Sequence, residues 1–418
     1  MSGAEEIRIH DLLEPELTPI QQAAREAAEQ MPVEISEQAV LSEARERTGL
    51  SDFGADDFRE RLRLWCQAVN EDAGLGAVGR IGVHRDIVRY AANRLRFEDL
   101  LHRHPEILDV RIQRPIIICG LPRSGTTHLL NLVAADTRLR SLQYWESLEP
   151  IPVPGEEPGE DGVDPRLVRS RESYAQQDMM MPLLKNMHDM APEHVHEEIE
   201  LMCLDFSSYE LEWIATVPRW RDYYLAQDQT DSYAYMKKVL QALQWLRGPD
   251  RWILKSPQHM EQLGPLLTTF PDATIVLTHR DPVSVIASAI TMLSYGDRIR
   301  RKQVDPPAVA TYWIDRVEKL LRACVRDRDL LPARQSIDVL FHEFMADDIA
   351  IVERIYALAG LEMTKAARGQ LDAYMKANPR GKHGRIAYDL KADFGVEPGA
   401  LRGRFDFYFD RFPIRAEG

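Results

Sequence analysis

Residues 115–127 read Pro115-Ile116-Ile117-Ile118-Cys119-Gly120-Leu121-Pro122-Arg123-Ser124-Gly125-Thr126-Thr127. The first five are apolar and rich in β-branched side chains, bounded by proline and glycine, and a run of that kind predicts a buried parallel strand. A glycine-bearing loop follows, and then an apolar helix from about Thr126 to Ala135. Strand, loop and helix in that order make backbone N–H groups converge at a helix N-terminus, where they face an anion. Gly125 permits close backbone approach, Ser124 completes the loop, and the Thr126 and Thr127 hydroxyls can donate to phosphate oxygens. The spacing matches the first half of G-x-x-x-x-G-K-[ST]. The lysine that reaches the β- and γ-phosphates of a nucleoside triphosphate is absent, because position 126 is threonine. The cation lies inside the loop, at Arg123, which points to a phosphate loop serving another anionic ligand.

Further strands are expected at Arg251–Leu254, Ala273–Thr278 and Ile337–Phe341. Ala273–Thr278 runs into a helix opened by Asp281-Pro282, and Ile337–Phe341 into a helix from about Asp348 to Ala359 that stops at Gly360. Strands alternating with helices predict an α/β fold, a P-loop-type, mostly parallel sheet flanked by helices. Residues 1–110 contain no convincing strand and read as an α-helical N-terminal lobe. Residues 111–418 read as the α/β domain, with a helical insertion at 166–247. Pro150–Pro165, dense in Pro, Gly and acid, reads as a surface loop.

The 418-residue chain has a formal net charge of −14 and is 44% hydrophobic. It can bury a core, and it lacks the basic surface that long nucleic acid requires. Four scattered cysteines, with no C-x-x-C, argue against a disulfide framework or structural zinc. The acidic N-terminus is no secretory signal, and the longest uncharged stretch, Pro282–Gly296, is too short to span a bilayer. The expectation is a cytoplasmic protein without a transmembrane segment, and the reading admits a homo-oligomer.

A second constellation is Thr278-His279-Arg280-Asp281-Pro282, with Ser284 and Ser288 beyond it. Arg280 leaves a strand end, Asp281 suits a helix N-cap, and Pro282 suits the first helical position. Arg280 and Ser288 can close on one anion from two sides. The two constellations together resemble the sulfotransferases that use 3′-phosphoadenosine 5′-phosphosulfate (PAPS). Pro122–Thr127 matches the family's P-[KR]-S-G-T-T loop for the 5′-phosphosulfate, and Arg280 with Ser288 matches its 3′-phosphate pair. Leu254-Lys255-Ser256-Pro257-Gln258-His259 is similar to the L-K-S-P-x-H segment of bacterial members. Arg380-Gly381-Lys382-His383-Gly384-Arg385, followed by Tyr388-Asp389-Leu390, resembles the basic loop that closes over the nucleotide. The resemblance covers roughly residues 114–396. It departs at His128, where many relatives carry an adenine-stacking aromatic, and at Pro257, where many carry the catalytic histidine.

The resemblance implies transfer of a sulfuryl group from PAPS to an acceptor hydroxyl or amine, without a metal, leaving 3′-phosphoadenosine 5′-phosphate (PAP). Nucleotide contacts then fall to Arg123, Ser124, Gly125, Thr126, Thr127, His128, Arg280, Ser288, Arg380, Lys382 and Gly384. Such transfer needs cations on the leaving oxygen and a base for the acceptor proton. Arg123 and Lys255 supply the cations. His259 is the first candidate for the base, with Glu197 or His196 of Pro192-Glu193-His194-Val195-His196-Glu197-Glu198 as competitors. Trp145, Trp213, Tyr209, Trp220, Tyr223, Tyr224 and Met179–Met181 suggest an apolar pocket for a small or lipid-like acceptor. Two alternatives stand beside this reading: a P-loop kinase or NTPase, and a nucleotide-binding module without catalysis.

Overall fold

Cys119 and the three isoleucines before it are fully buried because their strand lies at the centre of a sheet covered on both faces. The computed structural model describes residues 6–249, 251–379 and 384–417. Among the described residues seven strands run β1 Glu6–Arg8, β2 Ile116–Gly120, β3 Leu139–Arg140, β4 Arg251–Lys255, β5 Thr274–His279, β6 Ser336–Leu340 and β7 Arg385–Ala387. Five form a parallel sheet in the order β3-β4-β2-β5-β6. The pleat sends alternate side chains to opposite faces. Ile117, Cys119, Leu254, Ile275 and Leu277 enter one core, while Ile116, Ile118, Ile253 and Val276 enter another. The second core is closed by the helices Thr126–Ala134 and Asp348–Ala359, the latter ended by Gly360 at φ 61°. The expected α/β architecture is the observed one.

Order in the sheet fixes where a ligand would sit. β2 has β4 on one side and β5 on the other, so the chain reverses its direction of travel across the sheet at β2. Open parallel sheets bind ligands at such a switch point, beyond the carboxyl ends of the strands. The loops after β2, β4 and β5 all emerge there. Close packing at that edge needs Gly120: a Cβ on it would stand 1.9 Å from Thr278 Oγ1 of β5.

Two expectations are corrected. Residues 1–110 do hold a strand, since β1 pairs in parallel with β7. It has only three residues and a partner near the other end of the chain, so no local pattern announces it. The aromatic residues expected to line a pocket are largely core. Tyr209, Trp220 and Tyr224 are at most 1% exposed. Trp220 and Tyr224 pack with Trp65, Phe58 and Leu62 of the helix Phe58–Asp72, while Tyr209 meets Trp213 and Trp313. Met179, by contrast, points outward and is exposed. The insertion thereby clasps the N-terminal helices, and Arg94 of the helix Ala77–Arg103 seals the contact on buried Asp205 at 3.0 Å. The acidic loop is exposed from 154 to 162. Among the described residues no helix is long and apolar enough to cross a membrane.

Candidate active site

The loop after β2 turns through two left-handed residues, Arg123 at φ 66° and Gly125 at φ 85°. Glycine adopts that conformation freely, whereas arginine does so at a cost of about 1–3 kcal/mol, the kind of strain that concentrates at functional sites. Gly125 is the N-cap of the helix Thr126–Ala134 and has no side chain with which to cap it. The first-turn N–H groups and the positive end of the helix dipole therefore face the loop's concavity, as an anion requires. Ser124 belongs to the loop's frame: its hydroxyl donates to the Leu121 carbonyl at 2.6 Å and lies 3.2 Å from Thr278 Oγ1.

Motifs far apart in sequence meet here. Arg123 Nε donates to Ser288 Oγ at 2.8 Å, and Ser288 donates to Tyr388 Oη at 2.9 Å. Arg280 Nη1 donates to the Arg123 carbonyl at 2.6 Å, and its guanidinium lies 4.0 Å from the Phe341 ring centre. The same Phe341 ring would touch a Cβ on Gly125 at 3.2 Å. Arg280 also makes a bidentate pair with Glu417, at 2.7 Å for both bonds. Asp281 caps the helix Pro282–Arg300 through the Val283 N–H, and this helix projects Ser288 back toward the loop. His128 turns the other way, its ring 5.6 Å from Phe344 and 6.0 Å from Tyr374. Gly384 takes a left-handed φ of 81° just before β7. Arg380 and Lys382 lie outside the described residues.

β4 delivers Lys255 to the same edge. Its side chain is 2% exposed, and Nζ pairs with the Glu197 carboxylate. The neighbouring Glu198 holds the same residue by its main chain, accepting the Lys255 N–H at 2.7 Å through Oε2. Through Oε1, Glu198 lies 2.6 Å from His259 Nε2, and His259 Nδ1 lies 2.8 Å from Tyr233 Oη. One tautomer satisfies every partner: Tyr233 donates to Nδ1, and Nε2–H donates to Glu198. His259 is fully buried in the short 3₁₀ helix Pro257–Glu261, with both ring nitrogens engaged by protein groups. That turn is anchored by Glu261, which pairs with buried Arg316 at 2.6 and 2.7 Å.

Three histidines surround the cations. Residues 192–196 lie along 142–145 through the pairs Trp145 N–Pro192 O, Tyr144 N–His194 O and His196 N–Leu142 O. Asn131 of the loop's own helix ties in Val195 at 3.2 and 3.3 Å. His196 is buried and packs edge-on against Tyr144. Burial, with His188, Lys255 and His194 beside it, holds its basicity well below that of an ordinary imidazole. Burial and the charges of Arg123 and Lys255 lower His188 to about 3. His194 is also lowered, chiefly by burial. This edge therefore gathers Arg123, Arg280 and Lys255, the last two paired with Glu417 and Glu197, beside imidazoles whose basicity is lowered.

Sequence reasoning missed Tyr388 as the partner of Ser288, although it stands in the quoted basic-loop segment. It also missed His188, Glu198 as the grip on Lys255, and Glu417. His188 and Glu417 carry no spacing signal, because only the fold brings them to the loop. Among the described residues no group of three or more His, Cys, Asp or Glu is placed to hold a metal ion.

A parallel sheet with an uncapped phosphate-type loop at its switch point, bordered by a strand-end Arg and a helical Ser, defines a class of group-transfer protein. The comparisons give its family. The model of the sulfotransferase family matches residues 115–365, and the chain belongs to that family. The sulfotransferase STF1 from Mycobacterium tuberculosis superposes with a TM-score of 0.78 at 28% identity, over 88% of this chain and 97% of the other. The sulfotransferase STF9 from Mycobacterium avium gives 0.80 at 27% identity, over 92% and 98%. No curated protein matches the chain.

Proposed function

We propose that this sulfotransferase takes its sulfuryl group from PAPS and passes it to a hydroxyl, or an amine, of a small or lipid-like acceptor. The observation that carries the reading is the Arg123–Ser288 bond together with the Arg280–Arg123 carbonyl bond. They make one cationic floor from a 5′-type phosphate loop and a second anion site. ATP and GTP have no 3′-phosphate for that second site, and the loop lacks the lysine that would serve their outer phosphates.

The residues fit such a donor. The Gly125–Thr127 amides and Arg123 would hold the 5′-phosphosulfate, while Arg280 and Ser288 would hold the 3′-phosphate. When bound, the donor supplies an activated sulfuryl group on a phosphate leaving oxygen. Lys255 and Arg123 offset the negative charge that grows on that oxygen, in a site where burial strengthens electrostatics. Glu197 is the base in this reading. Its carboxylate touches Lys255 Nζ, so the group that neutralises leaving charge and the group that takes the acceptor proton sit side by side. His196, kept neutral by its burial, is the second candidate. His259 becomes a strut that holds Glu198, and through it the end of β4. Four free, buried cysteines support action in a reducing compartment such as the cytoplasm.

A transfer assay tests this. Wild-type protein is incubated with PAPS and a panel of phenols, lipid hydroxyls, amines and glycans, and mass spectrometry follows sulfated product. Sulfation of a phenolic, lipid or amine acceptor upholds the reading, and sulfation of glycans alone removes the acceptor class. Tight PAP binding with no transfer to any acceptor would favour a non-catalytic module.

A further inference from the structure

Arg280 faces two demands at once. The proposed reading gives its guanidinium to a 3′-phosphate, yet in the structure the bidentate face is occupied by the Glu417 carboxylate, at 2.7 Å to Nε and 2.7 Å to Nη2. A planar guanidinium fork binds carboxylate and phosphate oxygens in the same way. The two anions therefore compete for one set of donors.

Glu417 is held there by a dedicated strap. Its backbone N–H donates to Asp281 Oδ2 at 2.8 Å, and its carbonyl accepts from Arg402 Nη2 at 2.7 Å. Arg402 reaches the same Asp281 oxygen at 2.9 Å. Asp281 is fully buried and adjoins Arg280 in sequence. Main-chain anchoring thus places the side chain of Glu417 on the arginine without depending on the pair itself. The pair is also open to exchange, since Arg280 and Glu417 remain 22% and 30% exposed. Solvent screens an ion pair of that exposure and keeps it weak.

We infer that Glu417 is a built-in competitor for the 3′-phosphate, a carboxylate that occupies Arg280 until a dianionic phosphate displaces it. The inference rests on the proposed function of this same site. It gives the chain a threshold: a ligand must offer Arg280 more than a carboxylate does, and product leaving the site meets an intramolecular group ready to replace it.

Calorimetric binding of PAP and ADP to the wild type, Glu417→Gln, Arg402→Ala and Arg280→Ala tests the inference. Removing the competing charge is expected to tighten PAP by about two- to fivefold, the scale of a solvent-screened ion pair, while leaving ADP unchanged. Arg402→Ala, which loosens the strap without touching Arg280, should tighten PAP in the same direction. Unchanged or weaker PAP binding in Glu417→Gln, with the wild type still dependent on Arg280, overturns the competitor and leaves the proposed function standing. PAP binding that ignores Arg280→Ala removes the reading beneath it.

Discussion

Lys255 and Glu197 touch in a nearly dry setting, and each carries a separate expectation. Glu197→Gln keeps the shape and removes the base. It should lower transfer by about 10²–10⁴-fold with PAP affinity unchanged, measured as single-turnover rate beside calorimetry. A loss of that size in His196→Gln, with Glu197→Gln near wild type, would move the base to the histidine. His259 should report on stability as well, because His259→Ala leaves buried Tyr233 Oη and Glu198 Oε1 each without its imidazole partner, while Glu198 Oε2 keeps the Lys255 N–H. The cost is about 1–3 kcal/mol for each orphaned group, read as a lower denaturant midpoint. At this scale Arg123, Arg280 and Ser288 were legible in the sequence, because their positions follow from strand ends and helix spacing. His259 was not legible as a fully buried residue. Its four-residue separation from Lys255 suggests a shared helical face, but the segment is a 3₁₀ turn that drives the ring into the core.

Elements carry the site through close packing and buried charge. Gly120→Ala would drive a methyl group into Thr278 and force β2 from β5, an overpacking cost of about 1–3 kcal/mol. Chemical denaturation should show it, together with weaker PAP binding. Arg316 lies between Glu212 and Glu261 with all three side chains at most 2% exposed. Arg316→Met strands two buried carboxylates and should cost about 3–5 kcal/mol, also by denaturation. The four longer sheet strands could be read within a residue or so from their apolar runs, since strands buried on both faces need such runs. The two-residue β3 and the β1–β7 pair could not, because their hydrogen bonds come from partners distant in sequence. The aromatic cluster misled for a related reason: composition cannot say whether a tryptophan lines a pocket or fills the joint between two sets of helices.

Across the whole molecule a net charge of −14 surrounds the edge that gathers Arg123, Arg280 and Lys255. The neutral histidines there make stability depend on pH. An unfolded imidazole binds its proton near pH 6.5, while His188 in the fold does so only near about 3. Between those values the unfolded chain holds the extra proton, so this contribution is intact above about pH 6.5 and fades as the pH falls. Buried Glu200 and Glu210, whose acidity is weakened chiefly by burial, act in the opposite sense. The informative quantity is therefore the difference between His188→Gln and the wild type. The variant's thermal midpoint should fall less between pH 7 and pH 5, and an identical fall in both would contradict the assignment.

The central claim is that this edge recognises a 3′-phosphorylated adenine nucleotide. Calorimetry of PAP, ADP and ATP on the wild type and on Ser288→Ala and Arg280→Ala tests it most directly. Selective binding of PAP, weakened in both variants while ADP is unaffected, is the expected result. Preference for ATP, or PAP binding indifferent to both substitutions, would contradict it.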